Sequence, residues 1–136
     1  MRLLVALLCL LLLSGCAHKP GSGSIADSAT TYAVLADGGS ELNPIIGWSG
    51  DPAITALTAL GVKQGGKYGL TSLGVEHCQA HRYVETGGWL GAGWNLAILS
   101  GAGPPGAIAA GILTATTYYR ITDPAAERGF SCREAP

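Results

Sequence analysis

Charge is scarce in this chain. Only 12% of its 136 residues are Asp, Glu, Lys or Arg, and the eight basic residues fall short of the nine acidic ones. With no basic surplus there is nothing to grip a phosphate backbone, which argues against a nucleic-acid partner. So thin a supply also argues against a coiled coil or a disordered acidic tail. It leaves little ionisable chemistry from which to build an enzyme. Between Glu85 and Arg120 charge vanishes for 34 consecutive positions. A G-x-S-x-G elbow is missing, as is any Ser/His/Asp or Cys/His set in a supporting context. Gly61 to Lys67 match G-x-x-x-x-G-K, but Tyr68 stands where a Ser or Thr would bind magnesium, so the match is coincidental. What the chain has in quantity is glycine, 21 residues, and apolar side chains, 48%.

The apolar residues are concentrated first at the N-terminus, MRLLVALLCLLLLSGCAHKP. Arg2 precedes an unbroken run from Leu3 to Leu13, a length suited to a signal peptide. Eleven helical residues cover only about 16 Å, too short for a bilayer core of roughly 30 Å. The run ends in Leu13-Ser14-Gly15-Cys16, which resembles the lipobox of bacterial lipoproteins. That resemblance implies a diacylglycerol on the Cys16 thiol, cleavage just before it, and acylation of the new amine. Ala17, where an Asp would favour retention in the inner membrane, implies an outer-membrane address facing the periplasm. Several acyl chains hold a protein at a membrane without any helix in the lipid. Residues 1–15 are thus read as the signal and 16–24, with GSGS inside, as lipidated Cys and flexible tether.

The remainder is expected to be all-α, about four short helices in two hairpins over residues 25–121, followed by a polar tail over 122–136. Ile25 to Ala36 stops at Asp37-Gly38-Gly39. Asp51-Pro52, a capping residue and a Pro at the first position, opens a second helix running to about Leu73. The uncharged stretch is broken by Gly101 to Gly106, with two prolines among its glycines. Two pieces of near fifteen residues result, about Gly87 to Ser100 and Pro105 to Tyr119, in a helical hairpin. Small residues recur four apart at Gly61-Gly65-Gly69, Gly87-Gly91 and Gly106-Ala110, a spacing that lets helix backbones approach closely. Trp48, Trp89 and Trp94 with Tyr118 and Tyr119 suit either a membrane interface or a core.

Two clusters flank the end of the first helix, Asp27-Ser28-Ala29-Thr30-Thr31 and Gly39-Ser40-Glu41-Leu42-Asn43-Pro44. Together they resemble the D-x-x-T-T … E-x-N-P signature of small multi-helix membrane proteins of unknown function, over roughly residues 25 to 65. The resemblance implies a helical fold and membrane association, and no reaction. The residues themselves allow two readings. In one, Asp27, Thr30 and Thr31 cap and back-bond while Glu41, Asn43 and Pro44 make a turn. In the other, Asp27, Thr31, Glu41, Asn43 and Lys63 gather as a buried polar cluster, with Lys63 as the counter-charge that buried carboxylates need.

The densest group of ligand-type residues is Glu76-His77-Cys78 with His81 and Glu85. On a helix His77, His81 and Glu85 would share one face, a workable metal set; a solvated connector explains the same residues without a metal. Cys9 leaves with the signal and Cys16 is taken by lipid, so Cys78 and Cys132 form the one intramolecular disulfide open to an oxidising compartment. The expectation is a small, non-enzymatic, lipid-anchored envelope protein, structural or partner-binding, without a cofactor. Its partners would be the membrane, through the lipid, and an envelope protein or a second copy. The alternatives are a metal-binding lipoprotein and a membrane-embedded bundle that handles a small solute.

Overall fold

A computed structural model of the chain describes residues 20–41, 43 and 45–122. The segment expected to be the signal, Cys16, Cys132 and the tail beyond Thr122 lie outside the described residues. The fold is all-α: α1 (Ser22–Ala36), α2 (Pro52–Ser72), α3 (His77–Leu99) and α4 (Pro104–Ile121). At 1.5 Å per residue these helices are about 22, 31, 34 and 27 Å long. None is both long and apolar enough to cross a membrane.

Local chemistry sets most of the ends. Asp51 accepts from the N–H groups of Ala53 and Ile54 at 2.9 and 3.0 Å and caps α2, with Pro52 in the first turn. At the other end, Gly74 takes φ +88°, so that the Val75 N–H turns back to the Leu70 carbonyl. Gly101 does the same for α3, where the Ala102 N–H reaches the Ala97 carbonyl. Helix α3 begins at His77, ten residues before the expected Gly87, so the segment read as a connector is its first three turns. The expected fifteen-residue pieces are in fact 23 and 18 residues long.

Helices α1 and α2 run antiparallel, and so do α3 and α4, giving the two expected hairpins. Helix α3 is central: it packs on α1, α2 and α4, while among the described residues α4 meets no helix but α3. The approach is closest where glycines face each other. A Cβ on Gly88 would strike the carbonyl group of Gly23, and one on Gly91 the carboxylate of Asp27. Across the second hairpin a Cβ on Gly93 would strike Thr114 Oγ1, and one on Gly111 would sit 2.9 Å from the Leu90 carbonyl oxygen. Glycine packing is therefore present, but α2 contributes little to it. Gly65 and Gly69, like Gly87 on α3, face open space.

The interior is inverted relative to a water-soluble domain. Among the described residues every buried apolar side chain is an alanine, as at Ala59, Ala80, Ala92 and Ala107. The larger buried side chains are polar or charged: Thr55, Gln64, Lys67 and Glu85. Eighteen large hydrophobic residues are exposed instead, among them Ile25, Leu57, Val62, Leu96, Ile108 and Leu113. Such side chains are each worth about 1.5–3 kcal/mol when buried. So many exposed large apolar side chains over so few buried ones point to a surface that meets something other than water.

Candidate functional site

The polar interior has two centres, one turn apart along α2. The first is Glu85, on the third turn of α3. Helix α1 starts at Gly21 with no side-chain cap of its own, leaving first-turn N–H groups without partners. Glu85 supplies the acceptor from across the bundle. Its Oε1 accepts from the Gly21 N–H at 3.2 Å and the Ser24 hydroxyl at 2.7 Å, and its Oε2 from the Ser24 N–H at 2.8 Å. The Lys67 ammonium lies 2.5 Å from Oε1, and the two side chains are 1% and 0% exposed. Gly21 makes the fit possible, because a Cβ there would lie 2.5 Å from the Glu85 carboxyl carbon. Burial pushes the Glu85 carboxyl up, but Lys67 and the two Ser24 donors together outweigh it and hold the group below its ordinary range.

The second centre joins the same three helices. Asp27 of α1 forms an ion pair with Lys63 of α2, with side-chain exposures of 12% and 18%. From α3 the Asn95 amide nitrogen donates toward Thr31 Oγ1 at 3.1 Å, Thr30 Oγ1 at 3.2 Å and Asp27 Oδ1 at 3.4 Å. Here burial wins: it raises the Asp27 carboxyl above its ordinary range despite Lys63, and the negative charge of Glu41 adds to the rise.

The predicted polar cluster is therefore assembled in part. Asp27, Thr31 and Lys63 come together. Glu41 bears on Asp27 only through its charge, and its Oε1 accepts from the Asn43 N–H at 2.8 Å. Asn43 Oδ1 in turn accepts from the Ile45 N–H at 3.0 Å, so these two residues do the turn chemistry of the α1–α2 connection. Thr30 back-bonds to the Ala26 carbonyl at 2.9 Å while also meeting Asn95.

The metal set does not come together. Glu85 is turned into the bundle and occupied by Lys67, Ser24 and Gly21, while His77 and His81 are half-buried on the turns before it. Among the described residues no group of three or more His, Cys, Asp or Glu side chains is placed to hold a metal ion. Cys78 is disulfide-bonded, and its expected partner Cys132 lies outside the described residues. Of the aromatic residues, Trp89 packs on Tyr118 with ring centroids 6.3 Å apart, and the Arg82 guanidinium stacks 3.7 Å over the Tyr119 ring. Trp48 is exposed in the connection before α2.

Sequence reasoning missed Ser24, Gln64, Lys67 and Asn95. A signal for them exists. Ser24, Asp27, Ser28 and Thr31 repeat at three and four positions, a polar stripe down one side of α1. Lys63, Gln64 and Lys67 form its counterpart on α2, and Asn95 is the one side-chain amide in the uncharged stretch.

Among the described residues, fold and site together define four packed helices with large apolar side chains exposed and an ionic, hydrogen-bonded interior where the first three meet. No known protein family, no curated protein and no solved structure matches the chain.

Proposed function

We propose that the chain is a lipid-anchored protein of the bacterial envelope with a structural, partner-binding role and no catalytic reaction, and that it works through the apolar outside of its bundle. The inversion of polarity carries this reading: alanines and ion pairs inside, leucines and isoleucines outside. Both carboxylates of the interior are neutralised by ammonium groups and tie three helices together, an arrangement suited to fixing a shape. The apolar exterior suits acyl chains or apolar helices of a partner. The lipobox Cys16 stands six positions before the start of α1. Six extended residues reach about 20 Å, so a lipid there keeps the bundle within reach of the bilayer surface. Ala17 after the lipidated residue favours the outer membrane.

Two measurements test this. Labelled palmitate is expected to enter the full chain and to be lost on Cys16→Ser. A second form, in which residues 1–16 are replaced by a cleavable signal without a lipobox, is expected to stay with membranes or membrane proteins at alkaline pH. Its recovery as a soluble monomer would overturn the role given to the exterior, and absence of label from the full chain would overturn the anchor.

A further inference from the structure

Three side chains with buried polar atoms are left without a hydrogen-bond partner among the described residues, Gln64, Ser28 and Thr86, and the first two belong to buried residues. Gln64 is 4% exposed and neither its amide nitrogen nor its amide oxygen is bonded; Ser28 is 8% exposed and its hydroxyl is unbonded. Native interiors almost everywhere avoid this, because a buried polar group without a partner loses the hydrogen bonds it made with water.

Their position is informative. In the antiparallel pairing of α1 and α2, Asp27 meets Lys63 directly, and Ser24 meets Lys67 through Glu85. Ser28 and Gln64 are the sequence neighbours of Asp27 and Lys63, so along the bundle both sit next to that pair, Gln64 on the side toward Lys67–Glu85 and Ser28 on the side away from it. The Lys67–Glu85 pair is sealed, whereas the side chains of the Asp27–Lys63 pair retain 12% and 18% exposure.

Charge excludes an ion here, since each carboxylate already has its ammonium and another charge would be buried without compensation. A primary amide offers two donors and an acceptor, and a hydroxyl one donor and an acceptor. A molecule that satisfies both must be neutral and must donate as well as accept. Water is the molecule that fills buried sites with two to four such partners.

We propose that Gln64 and Ser28 hold internal water, forming a hydrated site beside the partly open Asp27–Lys63 pair. The inference concerns the interior and does not depend on the lipid anchor or on what covers the exterior.

The test uses the full chain in mild detergent with ¹⁵N in the side-chain amides of its two glutamines, Gln64 and the exposed Gln79. The Gln64 amide protons are expected to show cross-relaxation with long-lived bound water, and those of Gln79 are not. Gln64→Leu, which removes the polar anchor at similar volume, is expected to lower Tm by several degrees. No water contact at Gln64, or a rise in Tm for Gln64→Leu, would overturn the proposal, because a dry amide is relieved by an apolar replacement. Where Gln64→Leu does not fold, Ser28→Ala decides: a shift of the Gln64 amide resonances supports a bridging water, and unchanged resonances overturn it.

Discussion

Glu85 does for α1 what Asp51 does for α2, but from a different helix and with an ammonium at its back. Removing one member of a buried ion pair strands the other charge, so Lys67→Ala is expected to cost about 3–5 kcal/mol, read as a drop in the denaturant midpoint in mild detergent. Lys67→Met combined with Glu85→Leu recovers only part of that loss, since α1 then starts without an acceptor for the Gly21 and Ser24 N–H groups. The two carboxylates pull stability in opposite directions with pH. Glu85 is held below its ordinary range, so the unfolded chain takes up its proton first, and this contribution is present near neutrality and lost as pH falls through the lowered value. Asp27 is held above its range, so the folded chain keeps that proton longer. Its contribution is full below the unfolded value and is lost as pH rises through the raised one. Unfolding midpoints measured downward from neutral pH are expected to rise first and then fall, and Asp27→Asn is expected to abolish the rise. The Asp27–Lys63 part of this site was legible because a buried acid demands a counter-charge. Glu85 and Lys67 were not, because at the edge of an uncharged stretch and inside a phosphate-loop look-alike they read as surface.

At the scale of the helix, the C-terminal end of α1, both ends of α2 and the α3–α4 break could be read from Gly and Pro punctuation. The start of α1 could not: Ser22, Gly23 and Ser24, read as flexible tether, are its first turn, with Gly23 and Ser24 buried where Glu85 caps it. The start of α3 could not either, since residues 77–86 carry the polar pattern of a connector and only the burial of Glu85 gives them a helical purpose. The small-residue faces show a second limit. Spacing says that a close approach is allowed, while the neighbour decides which face receives it. Lys63 and Lys67 point α2 inward, and Gly65, two residues from Lys63, is then about 200° round the helix on the outside. Substitution separates the two kinds of glycine. Gly88→Ala is expected to destabilise by about 1–3 kcal/mol, because its methyl group meets Gly23 and Ser24 backbone. Gly65→Ala, with nothing within 4 Å, is expected to stabilise by up to about 1 kcal/mol through helix propensity. Thermal unfolding of the two variants side by side checks both signs.

For the molecule as a whole, the disulfide at Cys78 ties the start of α3 to a segment outside the described residues. Peptide mapping of non-reduced material is expected to find Cys78 joined to Cys132, and a free Cys132 thiol would remove that link. The alanine interior has a thermal consequence as well. The heat-capacity increment of unfolding comes from apolar surface newly exposed to water, typically ~12–15 cal/mol/K per residue. Here eighteen large apolar side chains are already exposed, others such as Ile54, Leu60 and Leu70 are only half-buried, and the fully buried ones are methyl groups. Scanning calorimetry is expected to return an increment well below that range. The stability curve is then shallow, with a melting enthalpy that barely changes with temperature and a cold-unfolding branch pushed far below freezing.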